Sequence, residues 1–379
     1  MRVLMSCGGT GGHINPALAI ADIIKSKYPD AEFLFAGTPN GMEAKLVPQA
    51  GYKLETIKVA GFQRKISIEN IGRNIKAAAY LATSGRRAKS IVKNFAPDIA
   101  IGTGGYAAGP VIRKAAKMGV PSAIHEQNAF PGVTNKLLSK EVDHVMLTVK
   151  EALDFMDKGS FEYSVTGLPV RSNITIMSKA DARKKLGFDE SFTFLSFGGS
   201  LGAGCINETM TETIKWHVGK NMKINHIHGY GGMGRDTFPK AMEEAGIPLK
   251  SDRLRITEYI NDMDICLAAA DLVICRSGAS TLAELEAAGK ASILIPSPIV
   301  AGNHQYHNAM VLGKADAAIV IEQKDVTSEK IIGEIEKLYL DTDRVEKMSD
   351  NALKLHLSDT PQRILKVVDK LLEKAKSRK

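Results

Sequence analysis

The 379-residue sequence has a single tryptophan, Trp216, and only four cysteines, Cys7, Cys205, Cys266 and Cys275, none in a CxxC pair. Their wide spacing excludes a disulfide framework and a zinc site built on cysteine pairs. Each lies in an apolar strand or helix pattern, so all four are expected as reduced core residues of a cytosolic protein. No uncharged apolar run reaches the ~18 residues that a membrane-spanning helix needs. No leader peptide is expected ahead of the fold, because RVLMSC already reads as a first strand. The P-loop string GxxxxGKS/T, the HExxH string and an RNP-like aromatic strand motif are all absent. Nucleic acid is therefore not an expected partner, and no metal site is expected.

What is present is ordinary in amount and uneven in placement. Hydrophobic residues make up 44% and charged residues 24%, values of a globular chain long enough for two domains. The 50 basic and 42 acidic side chains leave a net charge of +8. Residues 60–120 carry 11 basic and 2 acidic side chains, a local +9 that suits an anionic surface or ligand.

Short apolar runs alternate with helical patterns along the whole chain. Six lie in the first half (Val3–Cys7, Glu32–Ala36, Leu54–Val59, Asp98–Gly102, Pro121–His125, His144–Val149). Six more follow in the second (Thr193–Phe197, Lys223–His228, Leu254–Tyr259, Leu272–Cys275, Ser292–Pro296, Ala317–Ile321). Strands alternating with helices mean βαβ units, so the expected fold is α/β, with two doubly wound parallel sheets joined near TGLPVR (166–171). The expected domains are 1–167 and 168–360, with a terminal helix over 361–379 bearing Ile364, Leu365, Val368, Leu371 and Leu372.

Three glycine-rich turns directly follow apolar strands: GGTGGH (8–13), GTGGYAAGP (102–110) and GGSLGAG (198–204). Glycine lets backbone approach a ligand closely, and the next helix offers unpaired N–H groups to an anion. One such turn is as readily explained by tight helix–strand packing; three point to a phosphate-bearing ligand at the carboxyl ends of the strands. A dinucleotide site is the rival, since Gly102-x-Gly104-x-x-Ala107 fits a loosened fingerprint and Glu126 stands near the position of a ribose-binding acid. That match falls on the fourth strand rather than the first, which weighs against an oxidoreductase.

Several side chains stand out within this frame. Asp262-Met263-Asp264 has a metal-binding form but opens a helix, where acids cap and offset the dipole. His226 and His228 alternate along an apolar strand and read as packing. In GGTGGHINPALAIA, Asn15 and Pro16 mark a helix start. A helix N-terminus disfavours a second positive charge, which suits His13 as a proton acceptor; the alternative is a histidine that merely caps the loop. In ICRSGASTLAELEAAG (274–289), Arg276 and Ser277 occupy a turn and a helix is expected from Thr281 to Ala288. Glu284 on it could hold a ribose diol or simply favour the helix dipole. AGNHQYHNAM (301–310) crowds amide and imidazole groups at another helix start, as hydroxyl-rich sugar would require or as a polar cap would.

Taken together and in order, GGTGGHINPALAIA, GTGGYAAGP, HEQNAFPGVTNK (125–136), GGSLGA and CRSGASTLAELEAAG resemble the bacterial MurG family of N-acetylglucosaminyltransferases. The resemblance covers essentially the whole chain. It implies the two-domain GT-B fold and inverting transfer of N-acetylglucosamine from UDP-GlcNAc to the 4-hydroxyl of MurNAc-pentapeptide on undecaprenyl diphosphate (lipid I to lipid II), a step of peptidoglycan synthesis. It implies no cofactor and leaves divalent-ion stimulation open.

By the same resemblance the sugar nucleotide is held mainly by the C-terminal domain. Glu284 would take the ribose, Ser200, Leu201 and Gly202 the diphosphate, the Ile260 backbone the uracil, and Gln305 and Asn308 the sugar. Arg171, Arg276, Ser277 and Ala279 complete that set, with Thr10, Gly11, Gly12 and Asn128 from the N-terminal domain. Thr10, Gly104, Gly105 and Tyr106 would cradle the lipid diphosphate. His13 is the candidate base, with Glu126 as the other candidate. Leu201 and Leu168 stand where the family usually has glutamine and asparagine, and His304 where glutamine is common, so the polar contacts of those side chains are expected to differ here. A galactolipid synthase group shares the fold, but the uninterrupted HEQN and GGTGGH strings weigh against it.

The implied acceptor lies in a bilayer, so the protein is expected at the cytoplasmic face of the bacterial plasma membrane as a peripheral protein. Ile68, Ile71 and Ile75 fall on one helix face, with Arg86, Arg87 and Lys89 following. This stripe is the candidate contact with an anionic membrane surface; the alternative is a core-facing stripe under a solvated basic face.

Overall fold

Strands of a parallel sheet covered on both faces need apolar side chains at successive positions, and Val3, Leu4 and Met5 are all fully buried. The computed structural model describes residues 1–59, 68–157, 161–171, 174, 177–199 and 201–378, with the backbone alone for 68–79, 81 and 82. The chain divides into two compact units, Met1–Pro169 with Asp359–Lys379, and Val170–Ser358.

In unit 1 the elements run β1 (Arg2–Ser6), α1 (Gly11–Lys27), β2 (Glu32–Gly37), α2 (Glu43–Gln49), β3 (Lys53–Thr56), α3 (Ile68–Phe95) and β4 (Ile99–Gly102). They continue with α4 (Ala108–Lys117), β5 (Ser122–Glu126), α5 (Val133–Leu138), β6 (His144–Leu147) and β7 (Glu162–Val165). All seven strands are parallel, in the order β3-β2-β1-β4-β5-β6-β7. Because side chains alternate across a strand, Leu4, Leu34, Ala100 and Ile124 face Ile91, Val111 and Ile112 on one side. Val3, Met5, Phe35, Ile99 and Ile101 face Ile14, Ile20 and Ile24 of α1 on the other.

Unit 2 holds α6 (Lys179–Leu186), β8 (Phe192–Phe197), α7 (Gly204–Gly219), β9 (Ile224–Gly229), α8 (Gly231–Gly234), α9 (Phe238–Glu244) and β10 (Leu254–Thr257). After these come α10 (Met263–Ala269), β11 (Leu272–Cys275), α11 (Ala279–Ala287), β12 (Ala291–Leu294), α12 (His304–Lys314), β13 (Ala318–Val320), α13 (Ser328–Leu340) and α14 (Thr342–Leu355). Its parallel order is β10-β9-β8-β11-β12-β13. The last helix, α15 (Thr360–Lys376), belongs to unit 1, where Ile364, Val367, Val368 and Leu371 join the core beside α1. Its apolar face is therefore shifted from the expected one, since Val367 is buried and Leu365 only half-buried.

Three local expectations need correction. Helix α1 begins at Gly11 with Thr10 as N-cap, four residues before the Asn15–Pro16 signal. Glycine costs a helix backbone entropy, so Gly11 and Gly12 give no propensity signal for a start; the boundary is set by the extended backbone of Thr10. Helix α11 likewise starts at Ala279 rather than Thr281. Strand β7 has no counterpart among the apolar runs: it is an edge strand, its residues exposed or half-buried, so no continuous apolar pattern marks it.

Candidate active site

In a doubly wound sheet, ligands bind beyond the carboxyl ends of the strands where the strand order reverses. That point lies between β1 and β4 in unit 1, and between β8 and β11 in unit 2. The first two glycine turns follow β1 and β4, the third follows β8, and the RSGAS string follows β11. Helices α1, α7 and α11, which leave three of these turns, have no side-chain cap. Side-chain caps are found on α6, α13 and α14, from Ser178, Thr327 and Asp341, whereas α10 and α15, which also follow no glycine turn, have none. It is the place of α1, α7 and α11 beyond the central strands, together with their open ends, that makes them candidates. The uncapped ends offer first-turn N–H groups and a positive dipole end to an anion.

In unit 1 the first two turns and the HEQN string converge on His13. The Thr103 hydroxyl donates to the His13 carbonyl at 2.8 Å. Gly104 backs the imidazole so closely that a Cβ there would lie 3.0 Å from the ring. Gly105 has φ +85°, and a Cβ would meet the Gly8 carbonyl at 2.1 Å, so only glycine lets the two turns touch. His13 Nδ1 lies 3.0 Å from Gln127 Oε1, and no hydrogen bond to its Nε2 is found among the described residues. Thr10 and Gly12 are exposed, Gly11 is half-buried, and Tyr106 projects 59% exposed beside them.

Glu126 is buried, and both its oxygens are occupied. Oε1 accepts from the Asn128 backbone N–H at 2.9 Å and side chain at 3.2 Å. Oε2 accepts from Gly132 N–H at 3.0 Å and Asn135 Nδ2 at 2.8 Å. These bonds hold the 126–135 loop. They leave Glu126 poorly placed to meet a ribose, as a dinucleotide site would require.

Sequence reasoning also passed over Glu43 at the start of α2. Its carboxylate accepts from Gly9 N–H at 3.1 Å, and from the Thr38 N–H and hydroxyl at 2.8 and 2.6 Å. Burial alone would raise its pKa, but these hydrogen bonds leave it below the usual carboxylate range. Thr38 lies in the loop that leads into α2, but Gly9 is 34 positions away, so only folding joins the acid to the first glycine turn.

In unit 2 the loops beyond β8 to β13 converge. Gly202, at φ +84°, would place a Cβ 2.3 Å from the Tyr230 carbonyl, so the GGSLGA turn and the loop after β9 pack backbone on backbone. Ser200 lies outside the described residues; Leu201 is 74% exposed, and the Ile260 side chain is buried against Gly229. Arg276 donates to the Ile295 and Pro296 carbonyls at 3.0 and 3.2 Å and to Gln323 Oε1 at 2.7 Å. The Ser297 N–H donates to Gln305 Oε1 at 2.9 Å, and Asn308 Nδ2 donates to the Ser277 carbonyl at 3.2 Å. The Ser277 hydroxyl is buried without a partner among the described residues, while Ala279 begins α11. Glu284, on the second turn of α11, is paired with Arg171 at 2.9 Å.

Elsewhere, Asp262 stands at the N-cap position of α10 but makes no side-chain cap bond, so the expected capping role is not seen; both its oxygens accept from Arg255, at 2.7 and 2.8 Å. His226 and His228 are buried in the core and share Ser196 Oγ at 2.8 Å each. On α3, the side chains of Ile68, Ile71 and Ile75 lie outside the described residues. Arg86 and Lys89 are exposed. Arg87 is engaged by the Thr56 carbonyl at 3.0 Å and by Glu55, so it is less free for a membrane contact than its two neighbours. No described helix is long and apolar enough to cross a membrane.

Both units match known proteins. The glycosyltransferase family 28 N-terminal domain matches residues 3–147, and the C-terminal domain of the same family matches 193–368. The chain is 43% identical over 98% of its length to the UDP-N-acetylglucosamine–N-acetylmuramyl-(pentapeptide) pyrophosphoryl-undecaprenol N-acetylglucosamine transferase of Acetivibrio thermocellus, covering 99% of that protein. It is 41% identical over 98% of its length to the protein of the same name from Desulforamulus reducens, again covering 99% of it. The crystal structure of Acinetobacter baumannii MurG superposes with a TM-score of 0.76 at 28% identity, over 97% of this chain and 99% of that one. The two Rossmann-like sheets are thus those of the GT-B fold, and the chain belongs to glycosyltransferase family 28 and, within it, to the MurG family of N-acetylglucosaminyltransferases.

Proposed function

We propose that this protein moves N-acetylglucosamine from UDP-GlcNAc to the 4-hydroxyl of MurNAc-pentapeptide on undecaprenyl diphosphate, converting lipid I to lipid II. The observation that carries the catalytic reading is His13, fixed through its backbone carbonyl and Nδ1, with no hydrogen bond to Nε2 among the described residues. Nε2 takes the 4-hydroxyl proton as that oxygen attacks the anomeric carbon. The new C–O bond forms as the bond to the UDP oxygen breaks, and the electron pair leaves with UDP. One displacement inverts the α-linked donor to a β product and needs no covalent enzyme intermediate.

The uncapped start of α1 and the turn at Gly104–Tyr106 serve the acceptor diphosphate, whose charges suit backbone N–H groups and a helix N-terminus. The uncapped ends of α7 and α11, with the unsatisfied Ser277 hydroxyl, serve the UDP diphosphate. Glu284 takes the ribose, Gln305 and Asn308 the sugar, and the Ile260 backbone the uracil. Glu126 acts by holding its loop, not as the base.

The acceptor's lipid places the protein at a membrane, on its cytoplasmic face where UDP-GlcNAc is available. Arg86 and Lys89 are exposed and, among the described residues, unpaired; each contributes about 1 kcal/mol of attraction near an anionic leaflet. The experiment that tests the catalytic reading compares His13→Ala with Glu126→Gln on a soluble acceptor. Base catalysis by His13 predicts a loss of kcat of roughly 10²–10⁴-fold in the first with nearly constant donor KM. Full turnover in His13→Ala would reject it.

A further inference from the structure

A chain of hydrogen bonds runs from Gly167 to His13, and each link has only one direction. The Gly167 carbonyl can only accept, so His125 Nε2, 2.9 Å away, carries a proton. His125 is wholly buried, and burial pushes its pKa down to about 4, so the ring holds one proton and its Nδ1 is bare. Gln127 Nε2 faces the His125 carbonyl at 2.8 Å and that bare Nδ1 at 3.1 Å. Both are acceptors, so the amide nitrogen must be the end turned to them; a flipped amide would set oxygen against oxygen. Oε1 is thereby committed to His13 Nδ1 at 3.0 Å, where it can only accept.

We propose that Gln127, itself oriented by His125, is a positioning residue that holds His13 as the Nδ1–H tautomer and so leaves Nε2 as the proton-accepting atom. The role rests on the reading of His13 as the base, and it extends that reading to two residues that need not touch the reacting atoms. A histidine side chain in water favours the opposite tautomer, with the proton on Nε2, so the hydrogen-bond partner decides which nitrogen is available. When Nε2 takes a proton, the Nδ1–H bond to Gln127 persists, and the ring need not turn.

The test is a long-range ¹H–¹⁵N correlation spectrum of histidine-labelled full-length protein, with the His13 signals assigned by their loss in His13→Gln. The expected result is a protonated, pyrrole-type Nδ1 and a bare, pyridine-type Nε2 in the wild type. In Gln127→Met the pattern inverts, and kcat falls about ten- to a hundredfold with donor KM within about twofold, as loss of part of a general-base contribution predicts. A wild-type His13 protonated at Nε2, or an unchanged tautomer in Gln127→Met, overturns the proposal. If Gln127→Met fails to fold, the wild-type spectrum alone decides. Full turnover in His13→Gln alongside the expected spectrum would reject the base reading while leaving the relay intact.

Discussion

Arg171 grips Glu284 at a single oxygen: its Nε and one terminal nitrogen both lie 2.9 Å from Oε1. No hydrogen bond to Oε2 is found among the described residues. Burial raises the Glu284 pKa, and the guanidinium offsets part of that rise. Arg171 therefore orients the carboxylate and favours its charged form, the better acceptor for two ribose hydroxyls.

Glu284→Ala is expected to weaken UDP and UDP-GlcNAc alike by about 1.5–3 kcal/mol, the range for hydrogen bonds to a charged group. Calorimetric titration checks this, and unchanged UDP affinity would make Glu284 only a helix acid. In Arg171→Ala the Glu284 pKa rises further, so donor affinity should begin to fall at higher pH than in the wild type as the medium is acidified.

Glu126→Gln should cost stability more than chemistry. An amide nitrogen would replace one acceptor oxygen against the N–H donors of Asn128, Gly132 and Asn135. A loss of about 1–3 kcal/mol is expected for the mismatched buried group, read as a lowered Tm. A kcat collapse at unchanged Tm would instead return Glu126 to the chemistry.

Acid should loosen unit 2. Burial lowers His217 to about 4 and His228 to about 3, and His226 well below its ordinary value. These rings stay neutral in the folded protein but take up protons near pH 6.5 once unfolded, so stability falls as pH drops below that value. At 1.36 kcal/mol per pH unit for each proton, the loss by pH 5 is about 1–2 kcal/mol per imidazole. His217→Phe should flatten the slope of denaturant stability against pH between 6.5 and 5; an identical slope would count against this account.

For membrane docking, charge reversal at Arg86 and Lys89 should weaken binding to anionic vesicles by about 1 kcal/mol or more per residue. Turnover of vesicle-borne acceptor should fall, while a short-chain soluble acceptor should be used normally. Equal loss on both acceptors would mean that the two residues support the fold.

The strands with continuous apolar runs were legible because burial on both faces leaves a local mark; β7, an edge strand, leaves none. The glycine turns are legible as a pattern after their strands, but the start of α1 is not, since Gly11 and Gly12 carry no helix propensity and the Asn15–Pro16 signal lies inside the helix. The partners of the site residues were hidden. Arg171 and Glu284 are 113 positions apart, and His13 and Gln127 are 114 apart, so only folding pairs them. Gln127 carries no chemical signature of its own; its importance arises from the acceptors that fix which end of the amide faces His13.

Single-displacement transfer of N-acetylglucosamine to a muramoyl 4-hydroxyl fixes the anomeric configuration of the product. Purified protein would be given UDP-GlcNAc and a short-chain soluble lipid I analogue, and the new linkage examined by the coupling of its anomeric proton in NMR. A large diaxial coupling, the mark of a β linkage, is the expected result. A small coupling, marking an α linkage, would contradict the account, as would hydrolysis of the donor without transfer.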